Sequence, residues 1–222
     1  MLPSAAALVA LLLAGAPAKD TWTVLFDGHS TKAWRGYNRD AFPAGDWVVE
    51  GGALKAVPKA EGCDLVTRER YPDFELTLEW KVGPGGNSGI LYRAAELPAP
   101  TPVWHSAPEL QILDDSAHPG AAPDTLTGAL YDLVAPVGKV LRPEGEWNQA
   151  GVLVRGNHVE HRVNGKKVLE YEVGSDALAA RIARSKFKDM PRFAREREGY
   201  IALQHHGEEV WFRDIRIRRL RP

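Results

Sequence analysis

Apolar and polar residues alternate along most of this chain. Between residues 74 and 82, Phe74, Leu76, Leu78, Trp80 and Val82 alternate with Glu75, Thr77, Glu79 and Lys81. This is the period-two pattern of a strand with one buried and one wet face. Shorter runs of the same kind cover residues 22–26, 46–50, 53–57, 88–93, 109–113 and 151–155, and then 158–163, 166–171, 200–204 and 209–218. Glu50-Gly51-Gly52, Gly83-Pro84-Gly85-Gly86 and Asn164-Gly165 separate them, and the last predicts a two-residue hairpin turn. One helix is predicted, capped by Ser175 or Asp176 and running from Ala177 to about Ser185, with Leu178 and Ile182 four apart on one face. About a dozen strands with no helices between them predict an all-β fold, a two-sheet antiparallel sandwich of the jelly-roll type with one short helix. The arginine-rich end, FRDIRIRRLRP, reads as an edge strand kept soluble by its charge.

The first eighteen residues, MLPSAAALVALLLAGAPA, break this pattern and carry no charged side chain. Their apolar run is about half the ~20 residues a membrane-spanning helix needs. It ends in Ala16-Pro17-Ala18, so residues 1–18 are expected to be a signal peptide cut after Ala18. That leaves residues 19–222 as a single domain, secreted or periplasmic, with no integral membrane segment. With 28 Lys and Arg against 29 Asp and Glu, the chain has no excess of cations to bind nucleic acid or an anionic membrane. A lone cysteine, Cys63, excludes an internal disulfide. Stability then rests on packing, to which seven Trp, six Tyr and six Phe contribute.

Strand parity sorts the polar residues by face. Glu109 and Gln111 share one side of their strand, Tyr200, Gln204 and His206 one side of theirs, and Asn87, Gly89 and Arg93 another. His161 falls among Val159 and Val163, on an apolar face where a core histidine is the simpler reading, and His205 lies with Ile201 and Leu203. No G-x-S-x-G, P-loop, H-E-x-x-H or C-x-x-C motif is present. Histidines and Glu109 from different strands could hold a divalent metal, but their spacing identifies none.

Ten segments in order then carry a resemblance. They begin with LFDGHSTKAWRG, DWVVEGGAL, DFELTLEWKV, GGNSGILYR and PELQILDD. TGALYDL, GEWNQAGVLVRGNHVEHRVNG, SKFKDMP, GYIALQHHG and FRDIRIRRL complete the set. Together the chain resembles the 3-keto-disaccharide hydrolase domain family, which implies a concanavalin A-like jelly roll and a carbohydrate substrate oxidised at carbon 3. The family pattern commonly has Asp where this chain has His205. A C3 ketone acidifies the C2 hydrogen. A base can therefore remove it, the C1 oxygen leaves by β-elimination, and water adds back. For that chemistry His161 or His206 is the candidate base, with Glu109 as acid–base partner or orienter. Asn87, Arg93, Gln111 and Gln204 are candidates to bind sugar hydroxyls or the enolate. Trp104 and Trp147 could stack on a ring, and Asp114, with Asp115 and His105, could close the site. A non-catalytic carbohydrate-binding module and a protein-interaction domain are the competing readings.

Overall fold

A computed structural model describes residues 21–58 and 62–221, so the expected signal peptide lies outside the described residues. In chain order the strands are β1 (Thr23–Phe26), β2 (Trp34–Gly36), β3 (Trp47–Glu50), β4 (Ala53–Ala56), β5 (Leu65–Thr67), β6 (Phe74–Val82) and β7 (Asn87–Ala94). They continue with β8 (Glu109–Leu113), β9 (Asn148–Arg155), β10 (His158–Val163), β11 (Lys166–Glu172), β12 (Tyr200–Leu203) and β13 (Val210–Arg219). An eight-stranded sheet runs β11-β10-β9-β6-β13-β4-β3 with β1 also on β13, and a five-stranded sheet runs β2-β5-β12-β7-β8. All pairings are antiparallel. The expected all-β sandwich is what forms.

The alternation of β6 shows why. Its five apolar side chains are buried between the sheets and its four polar ones are half-exposed. Trp34, Trp47, Phe74 and Phe212 join that core at 0% exposure. The indoles of Trp34 and Trp47 donate to Leu25 O (2.9 Å) and Cys63 O (2.8 Å), so their burial leaves no N–H unpaired. The short helix α1 (Asp176–Ile182) starts at Ser175, whose hydroxyl accepts from Leu178 N.

The arginine-rich segment departs from expectation. β13 is an interior strand, held by β6 on one side and by β4 and β1 on the other. Its outward arginines lie against acids instead of guarding an edge: Arg213 pairs with Glu79 (2.6 Å), Arg218 with Glu75 and Arg216 with Asp214 (2.7 Å).

His161 belongs to this core and not to a cavity. Its Nδ1 donates to Gly128 O (3.1 Å), and its Nε2 accepts from the Tyr92 hydroxyl (2.7 Å), which also meets the Tyr171 hydroxyl (2.7 Å). Burial pushes the ring's pKa down to about 4. A depressed folded-state pKa means the neutral ring's stability is present above the unfolded value, near 6.5, and is lost as pH falls through 4. Melting temperature should therefore drop over that window. His161→Leu should flatten the drop while costing about 2–3 kcal/mol at pH 7, because Tyr92 and Gly128 lose their partner. Thermal melts from pH 4 to 8 check both.

Candidate active site

The five-stranded sheet has a second face, turned away from the core, and its register decides what lines it. Ile90 pairs with Leu203, and Leu203 with Leu65; all three point into the core. Their neighbours Gly89, Gln204 and Asp64 therefore point outward together. Gly89 pairs with Gln111, Gln204 N donates to Gly89 O (3.0 Å) and Tyr37 N donates to Asp64 O (2.8 Å). A single row thus crosses the sheet as Gln111, Gly89, Gln204, Asp64 and Tyr37.

One pleat along, Leu91, Ala202 and Val66 are covered by residues 95–107, through Val103 and Ala107. Arg35 fastens that covering segment by two bonds to Glu96 (2.5 and 3.0 Å). A 3₁₀ turn within it, Val103–His105, presents Trp104 to the polar row. At the far edge, residues 128–131 extend the sheet beside β8, with Gly128 N on Gln111 O and Tyr131 N on Glu109 O. A second 3₁₀ turn, Lys186–Asp189, is anchored by Phe187 stacked on Phe193 at 3.9 Å. It holds the Lys186 ammonium 4.2 Å from the Tyr131 ring centroid and 4.7 Å from that of Trp104.

These elements enclose a cavity of about 180 Å³ lined by Asn87, Trp104, Glu109, Gln111, Tyr131, Lys186, Gln204 and His206. Glu109 is its chemical centre. The residue is 6% exposed, and burial pushes its pKa up to about 8, against the pull of Lys186 and with some help from the Asp64 charge. Burial also lowers the Lys186 pKa, although Glu109 and Asp132 counter the shift. The Gln111 side-chain amide lies 3.1 Å from Asn87 Oδ1. Turned over, it places Nε2 3.2 Å from Glu109 Oε1 and 3.3 Å from Ser88 O. His206 stands at the rim with Nδ1 2.9 Å from Glu208 Oε2.

Gly89 makes room for Glu109. A Cβ there would fall 1.9 Å from Glu109 Oε1, so the carboxyl occupies the space a side chain would fill. Gly89→Ala should displace the carboxyl, and a turnover that depends on the position of this carboxyl should fall about 10- to 100-fold, since small misplacements carry large penalties. Steady-state kinetics on a variant of confirmed melting temperature would measure this.

Asn87, Glu109, Gln111, Gln204 and His206 thus come together as the strand parity suggested, and Trp104 joins them from its 3₁₀ turn. The other candidates lie outside this cavity. His161 is in the core, as described. Arg93 leaves the face of Asn87 and Gly89 because the chain bulges there: its φ is +50° and the β7–β12 register slips. Its guanidinium is spent on Pro72 O, Asp73 and Gly156 O. Trp147 lies under Arg213, 3.9 Å from Cζ to ring centroid, and near Lys81. Both of those residues belong to the other sheet. Asp114 accepts from Gly85 N, Ser116 N and Ser116 Oγ (3.0, 3.2 and 2.6 Å) and shapes a loop at the end of the sandwich. Asp115 is paired with Lys139 (2.5 Å), and His105 packs on Trp104.

Three residues on this face, Lys186, Tyr131 and Asp64, are absent from the parity argument. Asp64 is half-buried, its Oδ1 accepts from His205 N (2.8 Å), and burial raises its pKa to about 7. His205 itself faces the core, edge-on to Trp47 at 5.6 Å, so its imidazole does not reach the cavity. Among the described residues, a trio of metal-type ligands within 4.8 Å of one another is His158, Glu160 and Glu170. It lies on β10 and β11, where Arg162 and Lys167 already neutralise the carboxylates.

Comparison with known proteins adds to this geometry. Residues 21–218 match the family model for 3-keto-alpha-glucoside-1,2-lyase-like domains. A 3-keto-disaccharide hydrolase of Bacteroides thetaiotaomicron is 35% identical over 228 residues, covering 90% of this chain and 78% of that protein. A crystal structure of a candidate glycosyl hydrolase from Parabacteroides distasonis superposes with a TM-score of 0.82 at 30% identity, covering 90% of this chain and 94% of that one. A carbohydrate binding module from Bacillus subtilis shares the fold at 9% identity and a TM-score of 0.54, over 84% of this chain and 96% of its own.

Proposed function

Because the chain belongs to the family of 3-keto-α-glucoside-1,2-lyase-like domains, we propose that it cleaves the glycosidic bond of 3-keto-glycosides or 3-keto-disaccharides, with Glu109 as the base that removes the C2 hydrogen. The observation that carries this reading is the buried Glu109 carboxyl facing the Lys186 ammonium across a small polar cavity. A carboxylate whose pKa is raised toward 8 is a stronger base than an ordinary one and still ionises near neutrality. As the C2 proton leaves, negative charge develops on the C3 oxygen. Lys186 supplies a cation for it, and Asn87, Gln111 and Gln204 supply amides for that oxygen and the ring hydroxyls. Trp104 offers an apolar wall for the sugar face.

Loss of the C1 oxygen from the enolate gives an enone. Water adding at C1, with the proton returned to C2 from Glu109, completes hydrolysis. A purely binding role would leave the buried, uphill-shifted Glu109 without a purpose. Export by the apolar leader would put this chemistry outside the cytoplasm. The test is substrate oxidation state: purified protein should cleave 3-keto-glucosides and leave the corresponding unoxidised glucosides intact. Equal turnover of both would overturn the proposal, since an unoxidised sugar has no acidic C2 hydrogen.

A further inference from the structure

Beside the first cavity, on the same sheet face, lies a larger one of about 430 Å³. The two are adjacent because Gln204 lines the first and Asp64, its cross-strand neighbour, lines the second. One segment walls both, with Trp104 at the first and Pro100, Thr101 and Pro102 at the second. Tyr37, Asn38 and Arg39 form the remaining side. The Tyr37 hydroxyl accepts from Leu97 N (2.9 Å) and Asn38 Nδ2 donates to Leu97 O (2.9 Å), so this wall is fixed to the covering segment.

We propose that this second cavity receives the departing sugar, and that Asp64 donates the proton taken up by its glycosidic oxygen. The assignment rests on the 3-keto-glycoside reading above. Three observations support it. Glu109 leans from β8 over Gly89 on β7, while Asp64, just before β5, leans toward the chain just after β12, where it accepts from His205 N. Since β7 and β12 are neighbours, the two carboxyl groups stand on the order of 5–8 Å apart. That span fits a base over C2 and an acid at the C1 oxygen, with a sugar ring between them. Burial raises both carboxyl pKa values, Asp64 to about 7 and Glu109 to about 8, so the pair holds about one proton near neutrality, and the step uses the form with that proton on Asp64 and Glu109 ionised. His206, the nearest titratable side chain besides these, is turned to Glu208 at the rim of the first cavity and does not line the second.

The step balances. Glu109 takes the C2 proton, the C–H electrons form the C1=C2 bond, the C1–O bond breaks, and the aglycone oxygen takes the Asp64 proton. Water then adds its hydroxyl to C1 and gives its other proton to the Asp64 carboxylate, while Glu109 returns the proton it holds to C2.

Asp64→Asn tests this with two substrates that share a 3-keto-glucosyl group. A 3-keto-disaccharide expels a strongly basic alkoxide and needs the acid; p-nitrophenyl 3-keto-glucoside expels a weakly basic phenolate and does not. The variant should lose about 10²-fold in kcat/KM on the disaccharide and stay within about threefold on the aryl glucoside, an activity that also shows it is folded. Equal losses on both substrates, or no loss on the disaccharide, would overturn the assignment alone. Inactivity of the unaltered protein toward both would overturn the functional reading together with it.

Discussion

Glu109→Gln should reduce turnover of a 3-keto-glucoside by about 10³-fold while leaving the protein as stable as the parent or more so. The two effects have one cause. An isosteric amide cannot accept the C2 proton, which removes the base. The amide also has no charge to desolvate. In the parent, the raised folded-state pKa of Glu109, about 8, means that stability is full below the unfolded value near 4.5 and declines as pH climbs to 8. The amide lacks that decline, so the variant should gain about 1–3 kcal/mol at pH 9 relative to the parent. Kinetics and melts on the same preparation separate a catalytic carboxyl from a structural one, because a structural carboxyl would lose stability on replacement.

Lys186→Met carries the second large effect. Methionine keeps the length of the stem over Tyr131 and Trp104 but removes the cation that faces the developing enolate. A loss of about 10²- to 10³-fold in kcat is expected, in the range of other single electrostatic donors. A shift in pH dependence should accompany it. Lys186 opposes the rise in the Glu109 pKa, so without it Glu109 ionises at higher pH and the ascending limb of kcat moves to the alkaline side. A packing defect would lower kcat without moving that limb.

The pattern of residues showed most of the framework and part of this site. The long alternating runs became β6, β8 and β10 with the boundaries expected of them. Glu109 and Gln111, Gln204 and His206, and Asn87 reach one cavity, with Gly89 beneath Glu109, because strand parity survives folding. What was not legible has specific reasons. β2 and β5 are three residues each, too short to show a period, and β5 is the strand that places Asp64. Arg93 obeys the parity of its strand only until the bulge at its own position reverses it. Lys186 and Tyr131 come from a 3₁₀ turn and a bridge-forming loop, whose directions depend on contacts far apart in the chain. His161 was placed correctly on an apolar face, and there the core reading prevails over the catalytic one.

The central claim, proton removal from C2 by Glu109, is tested most directly by cleaving a 3-keto-glucoside in deuterated water. The released 3-keto-glucose should carry deuterium at C2, beyond what free 3-keto-glucose acquires in the same buffer without protein, and Glu109→Gln should abolish this incorporation. Cleavage by Glu109→Gln at the parent's rate, with deuterium still entering C2, would contradict the account.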